Sequence, residues 1–288
     1  MLTLPSVEAG RCATIGVVTV TPRLWPSGDA YALFLDDQGK PILRECAVAY
    51  LDVLGIRNLS VAPERLETLR RLLTGLDHAR DEAMLDSQES WQALSWFTDN
   101  VVVAFPILPG QIDEEPALGS ALRAATYIQL RMAIEGFLVR GGIAFGEIHM
   151  APNVAFGPAL IEAVELEKQA GNPRVLLSDH AVKLQRKVMK SYVKGAAPQI
   201  YEMAVDSDNR VFVDYLHFWA DEEDDQNRFR QGFKAHRDQA KAGLEHADSR
   251  VQAKYEWLAG YHNWAAESMR GSGRVKVRER AAGKFGRL

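Results

Sequence analysis

The chain has 288 residues, of which 47% are hydrophobic and 25% are charged, enough for one large domain or for one domain with an appendage. Its 34 basic and 38 acidic residues give a formal charge of −4, which argues against a dedicated nucleic-acid-binding protein. Two cysteines are too few for a disulfide framework, and no apolar run approaches the roughly 20 residues that span a bilayer. Because a signal-peptide pattern is also missing, we predict a soluble, cytoplasmic protein that contacts no membrane.

The N-terminal region, residues 1–45, is predicted to be an irregular lead-in without chemistry of its own. Strand-like runs at Thr14 to Val20 and Tyr31 to Leu35 alternate with stretches rich in turn-forming residues. We divide the rest of the chain into three predicted parts: a main domain at 46–205, a final strand with a helical C-terminal extension at 206–270, and a basic flexible tail at 271–288.

The most informative stretch of the main domain reads AVAYLDVLGIRN and begins at Ala47. Its first five residues predict a buried strand, which Asp52 interrupts. A carboxylate at the end of a buried strand is costly unless a charged group meets it, and a divalent metal ion is a common solution. Because strand side chains alternate between faces, Tyr50 should lie beside Asp52. The residues alone also permit a simple capping aspartate.

Two further patterns follow this strand. Leucines at helical spacing predict an amphipathic helix that begins near Pro63, with its apolar face formed by Leu66, Leu69, Leu73 and Leu76. Two strand-like runs then flank the dipeptide Asp99-Asn100, which suits a tight hairpin turn. Asp99 would face Asp52 if the strands are neighbours, and a turn aspartate without a further role stays open as the alternative.

The middle of the chain continues with alternating helices and strands. A helix is followed by a strand at Phe137 to Gly146, whose glycines would let another backbone or a ligand come close. Gly157 and Pro158 open a helix that runs to Ala170, and a short strand follows at Pro173 to Ser178. This order of elements predicts an α/β fold with helices packed on one sheet.

The C-terminal part has a different character. Val211 to Trp219 predicts a last strand, and the acidic run Asp221 to Asp225 is suited to begin a helix, where negative charge complements the helix dipole. Two helical patterns follow, at 226–246 and 251–268, and the second carries an aromatic stripe. We interpret the stripe as core or dimer packing rather than as a binding site.

Several of these segments, taken in order, resemble the catalytic domain of class III nucleotide cyclases. Asp52-Val53-Leu54-Gly55-Ile56 matches that family's Asp-hydrophobic-x-Gly-hydrophobic strand end, and Asp99 stands where the family has a second metal-binding Asp. Val139-Arg140-Gly141-Gly142 with Gly146 fits its next strand, and a Gly-opened helix and a Pro-Arg-hydrophobic strand follow at Gly157 and Pro173. Within that superfamily, the Tyr-Leu-Asp-Val-Leu-Gly opening and the helical C-terminal extension are similar to the Pycsar pyrimidine cyclases of bacterial antiphage defence.

The resemblance implies both a fold and an activity. The fold would be a ferredoxin-like cyclase sheet with helices packed on one face and a helical C-terminal extension. The activity would be conversion of UTP to cyclic UMP and pyrophosphate by a homodimer with its sites at the subunit interface. A separate effector protein would sense the product. A cytidylate or adenylate cyclase stays open, as does a catalytically silent module of the cyclase type that binds nucleotides and regulates another protein.

The resemblance also implies site residues. Asp52, Asp99 and the Val53 carbonyl would bind two divalent cations, Mn²⁺ or Mg²⁺. The triphosphate would lie over the turn formed by Val53, Leu54, Gly55 and Ile56, whose backbone N–H groups can hold anions. Tyr50 would contact the base, because its ring can stack and its hydroxyl can bond a uracil carbonyl. A tyrosine packed in the core, with its hydroxyl bonded locally, stays open as the alternative.

One feature of the family pattern is missing. Purine cyclases carry an Asn and, four residues later, an Arg on the helix after the Gly-opened turn, and Ile161 and Glu165 stand there in this chain. Another cation must then serve the reacting phosphate. Arg57 is the predicted replacement, with Lys168 and Arg174 as further candidates, whereas Arg140 is expected to have a structural role or to lie at the subunit contact.

Overall fold

The computed structural model describes residues 30–56, 61–86, 93–97, 100–107, 114–192, 202–217, 226–268 and 284–287. Within these ranges the strands are β1 (Arg44–Val53), β2 (Ala93–Phe97), β3 (Asn100–Pro106), β4 (Val139–Ala151), β5 (Val154–Phe156), β6 (Val175–Leu177), β7 (Met203–Val205), β8 (Val211–Val213) and β9 (Gly286–Arg287). The helices are a 3₁₀ helix at Ala30–Phe34 and the α-helices α1 (Arg65–Asp86), α2 (Glu115–Ile134), α3 (Pro158–Ala170), α4 (Asp179–Ser191), α5 (Gln226–Gly243) and α6 (Ser249–Ser268).

The strands form one sheet in the order β2-β3-β1-β4-β6-β8-β7-β9, with β5 paired to β4. Strand β1 lies between β3 and β4 and is antiparallel to both, whereas β4 and β6 are parallel. β7 and β8 form a hairpin, and β9 pairs with the outer edge of β7. Sheet and packed helices confirm the predicted α/β class. The same sheet contains strands from both sides of residue 205, and the boundaries between the predicted parts stay predictions.

Helices cover both faces of the sheet rather than one, as the alternation along β1 makes clear. Ala49 and Leu51 belong to a large apolar cluster with α1, α2 and α4. Val48, on the opposite face, packs with Ala159 of α3, and α3 and α6 share a further cluster over the second half of the sheet. The expectation of helices on one face is therefore wrong, because the parallel β4–β6 crossover places α3 opposite α1 and α2.

Helix α1 is amphipathic as predicted, but most of its predicted apolar face is wrong. Leu66, Leu69 and Leu73 are exposed, and of the four predicted leucines only Leu76 is buried. The buried side follows the i, i+3, i+4, i+7 spacing of Leu72, Gly75, Leu76 and Ala79. Gly75 explains the choice, because a side chain there would press on Met132 and Glu135 at the C-terminal end of α2. The close approach of α2 thus selects the side of α1 that is buried.

At several places the local structure differs from the predicted one. Tyr31 to Leu35, predicted as a strand, lies largely in the 3₁₀ helix, and β8 stops at Val213 because a helical turn begins after Asp214. Helix α4 has no counterpart in the predicted elements, although Ser178 is a clear N-cap whose hydroxyl accepts from the Ala181 N–H at 3.2 Å. The predicted strand at 14–20 and the acidic run at 221–225 lie outside the described residues.

The glycines of β4 allow close packing of backbones, as predicted. A Cβ atom at Gly141 would collide with the Tyr50 carbonyl of β1, and one at Gly142 would collide with the Ala163 carbonyl of α3. β4 is therefore held between β1 and α3 at the point where both carry candidate site residues. It also extends beyond the predicted strand, to Ala151.

The C-terminal extension packs on the sheet through the aromatic stripe, which confirms its interpretation as core. Tyr261 is fully buried against Phe212 of β8, with ring centroids 5.5 Å apart, and Trp257 and Trp264 stack on its two sides. Phe285, just before β9, joins the same group of rings. Among the helices in the described ranges, none combines the length and the apolar character needed to cross a bilayer.

Candidate functional site

Asp52 lies on β1 and has a polar neighbour on each of the two adjacent strands. Its Cα partner on β3 is Asn100 and its partner on β4 is Arg140. The Arg140 Nε donates to Asp52 Oδ2 at 3.1 Å, with 28% and 16% of the two side chains exposed. The same Nε also forms an ion pair with Glu167, which is buried on α3. One guanidinium therefore joins two carboxylates from different elements.

A second cation, on the C-terminal extension, interacts electrostatically with this group. The charge of Lys254, half-buried on α6, interacts with Arg140, Asp52 and Glu167. Burial lowers the pKa of the Lys254 ammonium and Arg140 lowers it further, whereas the two carboxylates act in the opposite direction. Burial likewise raises the pKa of Glu167, and Arg140 opposes that change. We call Asp52, Arg140, Glu167 and Lys254 the charge cluster.

Tyr50 lies on the same strand and face as Asp52, as predicted from the alternation of β1. Its hydroxyl donates to Asn100 Oδ1 at 2.7 Å, and its ring is half-buried between two apolar clusters. The hydroxyl thus has a local partner, and that partner sits directly opposite Asp52 in the strand pairing. Tyr50, Asn100 and Asp52 form one continuous polar group on this face.

The turn after Asp52 is well defined. Val53 is buried, and the Leu54 N–H donates to the Leu138 carbonyl at 2.8 Å. Gly55 has φ of 87°, a left-handed value that lets the chain leave the strand without strain, and it is exposed. Ile56 packs on the main core. From the sequence we predict that the Leu54 N–H helps to hold the triphosphate. That part of the prediction is wrong, because this N–H already donates to a carbonyl.

Two predicted site residues, Asp99 and Arg57, lie outside the described residues. Asp99 directly precedes Asn100 in the chain, and Arg57 directly follows Ile56. Within the described ranges, no group of three or more His, Cys, Asp or Glu side chains could hold a metal ion. The two-acid metal site therefore stays a prediction.

The other predicted cations have partners away from Asp52. Lys168 is exposed and pairs with Glu165 at 3.0 Å, one turn earlier on α3. Arg174 is buried and bonds Asp206 and Asp208 in the hairpin between β7 and β8, which is a structural role. Glu165 stands where purine cyclases have the Arg, and Ile161, where they have the Asn, is 66% exposed, so neither position of α3 brings a cation to the site.

Two members of the charge cluster were not predicted from the sequence. Glu167 had a recognisable signal, since it is an acid on the buried side of α3, between Ala163 and Ala170 at helical spacing. Lys254 had a weaker one, because it stands one turn before Leu258 on the side of α6 that faces the protein. Arg140, expected to be structural, contacts Asp52 directly.

No known family model matches the sequence, and no curated protein matches it. Solved structures to which the fold is similar include the adenylyl cyclase CyaB from P. aeruginosa, 16% identical over 60% of this chain and 93% of that chain, with a TM-score of 0.43. An adenylate/guanylate cyclase/hydrolase from Silicibacter pomeroyi is 19% identical over 60% of this chain and 95% of that one, with a TM-score of 0.42. The dimeric guanylyl cyclase domain of the RhoGC fusion protein from the fungus Blastocladiella emersonii is 11% identical over 59% and 92%, with a TM-score of 0.41.

Proposed function

We propose that this chain is a metal-dependent nucleotidyl cyclase that converts a pyrimidine nucleoside triphosphate, with UTP favoured, to the 3′,5′-cyclic monophosphate and pyrophosphate. The sequence resemblance suggests this reaction, and one structural observation supports it. The register of β1 puts Asp52 between Asn100 and Arg140, with Tyr50 beside it on the same face. An acid, an aromatic ring and a cation thus meet at one end of the sheet.

Asp52 fits a hard divalent cation by its chemistry, because it is a partly exposed carboxylate held in one orientation by the Arg140 Nε. In the proposal, the Val53 carbonyl and Asp99 complete the ligand set for Mn²⁺ or Mg²⁺. When bound, the cations would promote loss of the ribose 3′-hydroxyl proton and neutralise the triphosphate. The hydroxyl proton would pass to water, the 3′ oxygen would bond the α-phosphorus in line, and the bond to the bridging oxygen would break to release pyrophosphate.

The turn after Asp52 would receive the phosphates. Since the Leu54 N–H donates to Leu138, anion binding would rest on the N–H groups of Gly55 and Ile56. Gly55 is exposed, and among the described residues beyond its chain neighbours no heavy atom lies within 4 Å of the place where a side chain would begin, so a phosphate can come close to the backbone there. Arg57 would follow this turn as a further cation.

Tyr50 would select the base. Its hydroxyl donates to Asn100 Oδ1, which holds the tyrosine ring beside Asp52, where the ring can stack on a bound base. The tyrosine ring also takes up space beside Asp52, which favours a pyrimidine over a purine. The preference for UTP among the pyrimidine nucleotides follows from the sequence resemblance.

A homodimer is part of the proposal. Large apolar side chains are exposed on β5 and at the start of α3, namely Val154, Phe156 and Ile161, with exposed fractions of 49%, 69% and 66%. If these side chains form one contiguous apolar patch with their counterparts on a second copy, that patch would serve as the protein contact. A two-fold assembly would create two equivalent sites. We further propose that the product is a second messenger of bacterial antiphage defence, read by a separate effector protein.

A second candidate function is a catalytically silent module that binds a nucleotide and regulates another protein. The ion pair between Asp52 and Arg140 favours it, because a carboxylate that already has a counter-charge gains less from binding a metal ion. Ile161 and Glu165 favour it too, since they replace the donors that purine cyclases use. Retention of Asp52 and Asp99 favours the enzyme.

Product identification separates these functions. Purified protein would be incubated with each of the four ribonucleoside triphosphates and Mn²⁺, and the products would be identified by mass spectrometry. We expect cyclic UMP from UTP, loss of synthesis in Asp52→Ala, and a broader range of products in Tyr50→Ala. If cyclic CMP or cyclic AMP is the main product, the proposed substrate UTP is wrong. If the product profile is unchanged in Tyr50→Ala, Tyr50 does not contact the base. If all four triphosphates bind but none is cyclised, the silent module is correct.

A further inference from the structure

Helix α6 of the C-terminal extension lies against the turn that follows Asp52. Leu258 and Ala259 of α6 pack in one apolar cluster with Leu138 and Leu54. Leu54 is two residues after Asp52, and its N–H is bonded to the Leu138 carbonyl. The extension is therefore part of the wall around the candidate site and not a distant appendage.

Lys254 is the cation that this packing brings to the site. It stands four residues before Leu258, so both side chains lie on the same side of α6. Its half-buried ammonium interacts with the charges of Arg140, Asp52 and Glu167. Within the described part of the chain, Lys254 forms no ion pair within 4.0 Å. Its charge thus acts on the cluster electrostatically and is not held by a single described carboxylate.

Among the described residues, the other cations considered for the site already have carboxylate partners. The Arg140 Nε is shared between Asp52 and Glu167. Lys168 points to Glu165, and Arg174 is enclosed by the β7–β8 hairpin. Burial also lowers the pKa of Lys254, as expected for an ammonium that has lost water without gaining a close counter-ion. A phosphate oxygen would supply that counter-ion.

We propose that Lys254 is a substrate-binding residue through which the C-terminal extension holds the triphosphate group of the nucleotide. This role presupposes the cyclase function proposed above and adds the residue that contacts the phosphates. The ammonium offers three N–H donors on a flexible stem, which suits phosphate oxygens whose positions change as pyrophosphate departs. The extension then belongs to the catalytic machinery, although it lies outside Ala47 to Ser178, where the class III cyclase motifs stand.

The test compares triphosphate with monophosphate binding. Dissociation constants of UTP and UMP would be measured by calorimetry with Ca²⁺ in place of Mn²⁺, for the full-length wild type, Lys254→Met and Lys254→Arg. Because hydrogen bonds between charged groups are strong, we expect Lys254→Met to weaken UTP binding by about 10- to 100-fold. UMP binding should change by less than about twofold, since the lost contact is to phosphates that UMP lacks. Lys254→Arg should recover most of the UTP affinity.

Matched controls separate binding from stability. Lys241→Met removes an exposed lysine from α5 and should leave both dissociation constants unchanged. Thermal unfolding would be recorded for each variant, and Lys254→Gln would replace Lys254→Met if the latter does not fold. With Mn²⁺, the Lys254→Met variant should show a raised KM for UTP and a lowered kcat.

Two results would overturn the role of Lys254. One is UTP affinity in Lys254→Met equal to that of the wild type, and the other is an equal loss for UTP and UMP, which indicates general damage to the pocket. Failure of the cyclase function looks different, because the wild type would then cyclise none of the four triphosphates. The UTP and UMP dissociation constants would still decide whether Lys254 contacts the phosphates.

Discussion

At the scale of single residues, Arg140 determines the charge balance of the candidate site. It joins Asp52 of β1 to Glu167 of α3, two acids that would otherwise repel each other in a partly buried place. The raised pKa of Glu167 shows that burial works against its negative charge even with Arg140 present. Arg140 therefore serves the fold at the same time as it orients the proposed metal ligand.

We predict that Arg140→Met lowers the free energy of unfolding by about 2–3 kcal/mol, because it leaves Asp52 and Glu167 without their counter-charge. Urea unfolding at pH 7.5 measures this change. Adding Glu167→Gln to the variant should restore at least half of the loss, since one of the two acids is then neutral. The exposed pair of Lys168 and Glu165 is the control, and Lys168→Met should change stability by less than about 0.5 kcal/mol. Equal effects of Arg140→Met and Lys168→Met would show that the cluster adds no stability.

At the scale of elements, helices α5 and α6 are joined to the sheet by a buried polar network. The Tyr215 hydroxyl lies 2.7 Å from His236 Nε2, and the Nδ1 atoms of His236 and His262 lie 3.1 Å apart. Both histidines are fully buried. Burial, together with His262, holds the pKa of His236 well below its usual value of about 6.5. This packing therefore requires that the His236 ring is neutral.

This network makes stability depend on pH. Well above pH 6.5 His236 is neutral in the folded and unfolded states, and this group then costs no stability. Below pH 6.5 the unfolded chain binds a proton that the buried ring does not, so stability falls as pH decreases. We expect the wild type to lose about 1 kcal/mol between pH 6.5 and pH 5.5 through this group, measured by urea unfolding.

Two histidine variants check the assignment. His236→Gln removes the titrating ring and should flatten the pH dependence between pH 6.5 and 5.5, even though it lowers stability at pH 7.5. His246→Gln removes an exposed histidine from the segment between α5 and α6 and should keep the wild-type slope. A slope that is the same in all three proteins would mean that other groups cause the acid sensitivity.

At the scale of the whole molecule, the proposed assembly depends on which exposed apolar surface meets a second copy. One surface is formed by Val154, Phe156 and Ile161 on β5 and α3, close to the site-bearing helix. The other is the row of exposed leucines on α1, which lies on the opposite side of the sheet from α3. Because Asp52, Tyr50 and the charge cluster lie on the α3 side, we expect the first surface to form the dimer.

The prediction is that the wild type is a dimer in sedimentation at micromolar concentration and that Phe156→Asp is a monomer. A buried charge without a partner opposes association strongly, so one substitution is enough. Leu69→Asp is the matched variant on α1 and should remain dimeric. A monomeric Leu69→Asp beside a dimeric Phe156→Asp would assign the contact to α1 instead.

The α/β class and most helices and strands were predictable from the sequence, because their signals are local. The apolar run at Ala47, the Gly157-Pro158 start of α3 and the aromatic stripe of α6 each depend on neighbours a few residues away. Helix α4 was missed even though its Ser178 cap is a local signal. The alternation of β1 was enough to place Tyr50 beside Asp52.

The composition of the site was decided by the tertiary structure. The partner of Asp52 is Arg140, 88 positions away along the chain, and Glu167 and Lys254 join them from two helices. No short-range pattern encodes strand register or the side of a helix that is buried, since both follow from how distant elements fill space together. The exposed leucines of α1 show the same limit, because Gly75 and its contact with α2 chose the buried side. The sequence by itself therefore determined which residues could carry the chemistry, and the packing of the sheet with α3 and α6 decided which of them meet.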